Sequence, residues 1–274
     1  MSRPPVTSVK RLARRSGGMN SAARAVPEEV PVALSYGGTT HAVMMATPAD
    51  LEDFALGFSL TEGIVGSAGE IAGIDIEEAG AGVDIQIRLK DAADDRFQAR
   101  RRHLAGPVGC GLCGIESIDE AMRAVAPVAE TGLALDEADV GRSVELLARH
   151  QTLYAETGAV HAAGFYMPGT GIVAAREDVG RHNALDKLAG ALAREGVGGG
   201  TGAVVMTSRV SVELIQKTAA IGSPVIIAVS APTALAVRQA EEAGMTLIAL
   251  VRGEEFDIFT RPDRITREAK THVA

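Results

Sequence analysis

The sequence has no tryptophan, only three tyrosines and six phenylalanines among 274 residues. Its core must therefore be aliphatic and closely packed through alanine, valine and glycine. It lacks the composition of a disordered chain, since 46% of positions are hydrophobic and 23% charged. It also lacks an excess of cations. Its 27 Lys+Arg face 35 Asp+Glu, for a formal net charge of −8, which argues against general binding of nucleic acid or an anionic membrane surface. No run reaches the roughly 18 apolar residues of a membrane span; the most apolar window, Val225 to Val237, is broken by Pro232. Internal repeats and low-complexity tracts are absent. Near the N-terminus, Arg3, Lys10, Arg11, Arg14, Arg15 and Arg24 are followed by no apolar run, so the segment does not read as a signal peptide. Residues 1–25 read instead as a disordered basic tail.

Cysteine is nearly missing too. The only two occur together as Cys110-Gly-Leu-Cys113. A secreted disulfide scaffold spreads more cysteines along the chain, and a structural zinc site wants a second pair. A cytoplasmic location is expected. Gly109, Gly111 and Gly114 flank the thiols and leave them unobstructed. Ser117-x-x-Glu120 has capping-box spacing and predicts a helix start just after them, where the positive end of the dipole favours thiolate over thiol. Three other readings stay open: two buried thiols acting as small hydrophobes, half of a metal site shared with another subunit, and a thioredoxin-type redox pair. The last expects Cys-x-x-Cys after the first strand of a βαβ unit, whereas this pair follows a segment containing Arg100, Arg101 and Arg102.

The patterning predicts two halves of different texture. In the first, Val30–Tyr36 and Thr39–Thr47 read as a hairpin about Gly37-Gly38. Thr47-Pro48 then predicts a hydroxyl-capped helix through Phe54, Phe58 and Leu60. Val83–Leu89 alternates like a half-buried strand. Residues 126–140 read as a connector. In the second half, Val144–Thr152 reads as helix and Val160–Tyr166 and Ile172–Ala175 as short strands. His182–Arg194 is a strong helix by period. Apolar strands Ala203–Thr207, Val225–Val229 and Leu247–Val251 then alternate with helices Val212–Ala220 and Thr233–Ala243. Continuous β-branched strands separated by helices indicate an α/β fold with parallel strands covered on both faces.

Two further places hold candidate chemistry. Glu177-Asp178-Val179-Gly180-Arg181-His182-Asn183 stands at a predicted helix N-terminus, where backbone N–H groups and Arg181 suit a phosphate or carboxylate. Asp178 there either accepts from a base edge or orients Arg181, and the plain alternative is an ordinary cap cluster. The loops Thr207–Ser211 and Ser230–Thr233 follow parallel strands, where open α/β sheets bind ligands. Arg209 lies in the first of them, and Ser211 and Thr233 are expected to cap the following helices. His161-Ala162-Ala163 lacks the Glu of a zinc deaminase, and no Pro-Cys-x-x-Cys follows.

These segments together resemble the formate dehydrogenase accessory sulfurtransferase family, the FdhD-type proteins. The carrying stretches are PADLEDFALGFSLTEGIV (48–65), GCGLCG (109–114), HAA (161–163), EDVGRHNALDKL (177–188), SRVSVELIQK (208–217) and VSAPTALA (229–236). The resemblance implies a C-terminal three-layer, cytidine-deaminase-like domain (127–274) behind a smaller N-terminal α+β domain (26–126). It implies a sulfurtransferase that receives persulfide sulfur from a cysteine desulfurase on Cys110, with Cys113 beside it. The sulfur passes to the bis-guanine-dinucleotide molybdenum or tungsten cofactor destined for formate dehydrogenase. It places cofactor binding at Phe256, Asp257, Ile258, Phe259, Thr260 and Arg261. Asp178, Arg181, His182 and Arg209 are further candidates, and Arg252 another cation for a polyanionic ligand. It further implies a cytoplasmic homodimer with no permanent cofactor. Arg261 stands where many relatives have His, and Ser208 where some have Gly. A dithiol oxidoreductase and a chaperone that only holds the cofactor are the alternatives.

Overall fold

The structure, a computed structural model, describes residues 3–104 and 125–266. Cys110, Cys113 and the helix predicted from Ser117 lie outside the described residues.

Residues 3–27 do not form the expected tail. Val6–Arg15 (β1) and Gly18–Pro27 (β2) pair antiparallel along their whole length about a two-residue turn at Ser16-Gly17. Strand β1 has no period-two apolar pattern, its Val6, Val9, Leu12 and Ala13 standing among cations, so the segment reads as a charged tail. The turn itself is an ordinary hairpin length.

Val30–Tyr36 (β3) and Thr39–Ala46 (β4) form the expected hairpin, with Gly37 and Gly38 at φ +57° and +74°, the pair of positive values that a tight two-residue turn demands. Ile71–Ala79 (β5) and Gly82–Leu89 (β6) complete a four-stranded sheet in the order β4-β3-β6-β5. Leu51–Thr61 (α1) covers its apolar face, burying Phe54 and Phe58 with Leu34, Ile85 and Ile87. Asp91–Leu104 (α2), which the sequence shows only as a charged run, adds Phe97.

The connector is irregular to residue 134. Leu135–Asp136 (β7) then pairs with Ile265–Thr266 (β14), and helix α3 (Glu137–Ala148) starts seven residues before the periodicity predicts. The reason is local: Asp136 and Asp139 form a capping box, which lets Glu137-Ala138-Asp139 become helix despite lacking apolar positions.

The second half is a six-stranded sheet, β13-β12-β11-β10-β8-β9. Its strands are His161–Met167 (β8), Gly171–Asp178 (β9), Ala203–Met206 (β10), Val225–Ala228 (β11), Thr246–Arg252 (β12) and Glu255–Thr260 (β13). The middle three are parallel to one another, as their apolar runs predict. Helices Arg181–Glu195 (α5), Val212–Ile221 (α6) and Ala234–Glu242 (α7) bury Leu185, Leu188, Leu214 and Ala240 on one face. Helix α3 buries Val140 and Leu147 on the other. The result is a three-layer α/β unit.

The two halves meet helix to helix. A Cβ on Gly57 of α1 would lie 1.7 Å from the Asp186 carbonyl oxygen, and one on Gly190 of α5 would lie 1.9 Å from that of Asp53. Only hydrogen in both places lets the two backbones touch.

Candidate functional site

Strand direction decides what collects at one edge of the large sheet. β10, β11 and β12 end there. β8 runs antiparallel to β10, so its first residue, His161, lies at the same edge. β9 reverses again and ends there at Asp178. The N-termini of α5, α6 and α7 follow these strand ends, with Gly180, Ser211 and Thr233 as their caps. The loops are laced together: Val210 N–H donates to Ala231 O at 3.3 Å and Thr233 N–H to Val210 O at 3.0 Å. Thr233 caps α7 by accepting from Ala236 N at 3.2 Å. Ser211 holds the cap position of α6 but sends its hydroxyl to Glu213 Oε2 at 2.9 Å, so the capping bond expected of it is not made.

The Glu177–Asn183 block is largely structural. Glu177 accepts from Leu153 N and Tyr154 N, at 2.7 and 2.8 Å, at the start of a short helix, Thr152–Thr157 (α4). Asp178 is completely buried. Its Oδ2 accepts from Lys187 Nζ at 2.6 Å and Thr47 N at 3.0 Å; its Oδ1 accepts from Gly180 N at 2.7 Å and Asn183 Nδ2 at 3.0 Å. With four donors in place it has no lone pair aimed outward. That geometry corrects Asp178 as a base-edge acceptor. Thr47 is corrected likewise: its side chain accepts from Val179 N at 3.1 Å rather than capping α1, and α1 begins at Asp50 in a left-handed conformation, φ 53°.

A second buried network lies one helical turn on. Lys217 Nζ donates to Asp186 Oδ1 at 2.9 Å, Glu62 Oε1 at 2.7 Å and Thr61 Oγ1 at 3.1 Å. Burial opposes its charge, but the Asp186 and Glu62 carboxylates outweigh that and hold it above the ordinary lysine range. Neither lysine, nor Glu213, stands out in the sequence, because a charge on an apolar helix face carries no signal of its distant partner.

Val179 to His182 are half-buried at this edge, Arg181 among them. The Arg181 Nε is buried with no hydrogen-bond partner. His182 Nε2 lies 3.0 Å from Glu213 Oε2. Burial pushes the His182 pKa down to about 4, against the pull of Glu213 and assisted by the Arg181 and Lys217 charges. The imidazole is therefore neutral near pH 7, and its contact with Glu213 is a hydrogen bond donated by Nε2–H. Burial, then Arg181, also lowers the His161 pKa. Arg209 is exposed beside buried Ser208, whose Oγ donates to Arg209 O at 3.1 Å. Arg252 stands on the same edge, its guanidinium donating to Val229 O. The arrangement joins cations, helix N-termini and neutral imidazoles, which suits an anionic ligand with hydrogen-bonding groups.

The C-terminal candidates are not brought to this place. Phe256–Thr260 form edge strand β13, whose register sets Glu255 against Arg252 but Thr260 against Leu247, so the segment runs away from the edge just described. Asp257, Ile258 and Phe259 are exposed, and Phe256 packs on the core. Thr260 is buried, its hydroxyl donating to Met245 O at 2.6 Å. Arg261 lies at the opposite edge, locked to Asp263 at 3.0 Å and Glu130 at 3.1 Å, and these bonds raise its pKa further. Among the described residues, no group of three or more His, Cys, Asp or Glu side chains is placed to hold a metal ion. No helix among them is long and apolar enough to cross a membrane.

The chain is 60% identical over 257 residues to the sulfur carrier protein FdhD of Agrobacterium fabrum, covering 94% of this chain and 95% of that one. It is 49% identical to the protein of the same name from Cupriavidus necator, covering 97% and 92%. A solved structure described as a formate dehydrogenase accessory protein, from Desulfotalea psychrophila, superposes with a TM-score of 0.76 at 27% identity, covering 96% of this chain and all of that one. With a family model matching residues 27–266, the chain belongs to the FdhD/NarQ family.

Proposed function

We propose that this protein is a sulfur carrier in the maturation of formate dehydrogenase. Cys110 takes a sulfane sulfur from a cysteine desulfurase, and the acceptor, a bis-guanine-dinucleotide molybdenum or tungsten cofactor, is held at the edge lined by Arg181, Arg209 and Arg252. Thiolate attack on the desulfurase persulfide moves one sulfur atom to Cys110 and returns the donor thiolate, so loading needs no oxidant. Attack by Cys113 on Cys110 sulfur then releases sulfide and leaves a disulfide, which an external dithiol must reduce. The reading includes a homodimer working in the cytoplasm.

The observation that carries the ligand half is the convergence of three helix N-termini and three arginines on one sheet edge, in a chain whose net charge is −8. Local positive potential is what a polyanionic substrate requires of an acidic protein. The names of the curated relatives support the sulfur half.

The test is loading by a cysteine desulfurase followed by intact-mass measurement. Wild type and Cys113→Ala are expected to gain one sulfur atom, and Cys110→Ala none. Cys110→Ala protein that still gains sulfur and still supports formate dehydrogenase activity overturns the assignment.

A further inference from the structure

Ser211, His182 and Glu213 meet at the arginine-lined edge. His182 Nε2 lies 3.0 Å from Glu213 Oε2 and 3.3 Å from Ser211 Oγ, and Ser211 Oγ donates to the same Glu213 oxygen at 2.9 Å. The three residue types are those of a hydrolytic triad, but the geometry is not. A triad sets the carboxylate on Nδ1 and the hydroxyl on Nε2. Here both meet Nε2, and the hydroxyl proton goes to the carboxylate. The cluster holds Glu213 rather than activating Ser211.

The helix dipole favours a carboxylate in the first turn of α6, but it asks for no fixed posture. The two donors on Oε2 fix one. They fill both lone pairs of that oxygen and leave Oε1 with no hydrogen bond among the described residues. The side chain is 38% exposed. Lys217, one turn along α6, is committed to Asp186 and Glu62, and neither Arg181 nor Arg209 pairs with Glu213 among the described residues. A fixed carboxylate oxygen thus faces solvent four residues from Arg209 and against His182, the neighbour of Arg181. It repels phosphate, so it suits a ligand that brings a hydrogen-bond donor to this point. On a guanine nucleotide the donor that singles out the base is the exocyclic amino group.

We propose that Glu213 reads the guanine of the ligand, its Oε1 accepting a hydrogen bond from the exocyclic amino group while Ser211 and His182 position the carboxylate. The assignment rests on the guanine-bearing ligand of Proposed function and adds what selects its base. A site built to pair a polar group rejects analogues that lack it. Xanthine carries an oxygen where guanine carries the amino group, and a carboxylate repels it.

An isosteric change inverts the site. In Glu213→Gln, His182 Nε2–H and Ser211 Oγ–H still need an acceptor. They hold the amide oxygen where Oε2 stood and turn the NH2 group to the place of Oε1. A donor there suits the xanthine oxygen and opposes the guanine amino group.

The test is calorimetric titration of the full-length protein with guanosine diphosphate and with xanthosine diphosphate. Both are measured on one preparation, so the ratio of affinities does not depend on the fraction folded. Wild type is expected to bind the guanosine nucleotide roughly tenfold more tightly, Glu213→Gln to reverse the preference, and Ser211→Ala to narrow it. Wild type that binds neither nucleotide overturns the guanine ligand at this edge and the role of Glu213 with it. Equal binding of both by wild type overturns the reading of the base and leaves the anion site standing. A guanosine preference that Glu213→Gln retains overturns the assignment to Glu213, and one that Ser211→Ala leaves intact overturns the positioning role of Ser211.

Discussion

Lys187 and Asp178 form an ion pair, 2.6 Å from Nζ to Oδ2, with neither side chain exposed. Both belong to the EDVGRHNALDKL block, and both reach the N-terminal half: Thr47 N–H donates to Asp178, and Lys187 donates to Thr47 O at 2.9 Å. The most distinctive stretch of the sequence is thus first a clamp between the two halves. The same carboxylate holds the start of α5, because Gly180 N donates to Asp178 Oδ1 at 2.7 Å.

Removing one partner of that pair leaves the other charge buried. Lys187→Met is expected to cost about 3–5 kcal/mol of stability, read as a shift in the urea midpoint at unchanged slope. The double variant Lys187→Met/Asp178→Asn should recover part of the loss, because the uncompensated carboxylate is gone. Additive losses in a double-mutant cycle would show that the two residues do not act as a pair.

The crossing of α1 and α5 gives a sterically simple prediction. Gly57→Ala places a methyl group where the Asp186 carbonyl oxygen already stands, 1.7 Å away. Relief requires the two helices to separate, and overpacking of this kind costs typically about 1–3 kcal/mol. Gly198, whose added Cβ meets nothing within 4 Å, supplies the control: Gly198→Ala should leave the melting temperature nearly unchanged. Equal melting temperatures for both variants contradict the close crossing.

Sequence patterning reads the central sheet well because β10 and β11 are buried throughout and flanked by helices of clear period. It misreads elements whose determinants are distant or masked. Thr47 looks like a helix cap from its neighbours, yet its hydroxyl and amide serve residues more than 130 positions away. Strand β13 escapes notice because its exposed edge mixes Asp257 with Ile258 and Phe259. The arginines of the candidate site are legible as types, but their company is not: nothing near Arg209 in the sequence predicts that it stands at the same sheet edge as Arg181. Conversely, Phe256–Arg261 form one site on paper and span two edges of a sheet in space.

His182 predicts a specific pH response. Its pKa falls from 6.5 when unfolded to about 4 when folded, so between those values the unfolded chain binds more protons. Stability from this residue is complete above pH 6.5 and is lost progressively as pH falls toward 4. His182→Gln should flatten that limb relative to wild type, since a neutral amide has no such proton to take up. The His182 imidazole resonances of the folded protein are expected to titrate near pH 4; a midpoint near 6.5 would contradict the buried, neutral ring.

The arginine-lined edge predicts where guanine dinucleotide binding is lost. Arg209 is exposed, pairs with no carboxylate among the described residues and carries no visible packing duty, so Arg209→Ala should leave folding intact. It should weaken binding of guanosine diphosphate, used as a probe, by roughly tenfold, the range of one charge-assisted contact. Arg181→Lys tests geometry rather than charge, because lysine keeps the cation but loses the planar fork. Arg261→Ala serves as the contrast: its guanidinium is committed to Glu130 and Asp263 at the other edge, so binding should change little. Calorimetric titration at fixed ionic strength separates the cases. Loss of affinity at Arg261 with none at Arg209 would move the ligand from the strand ends to the opposite side of the sheet.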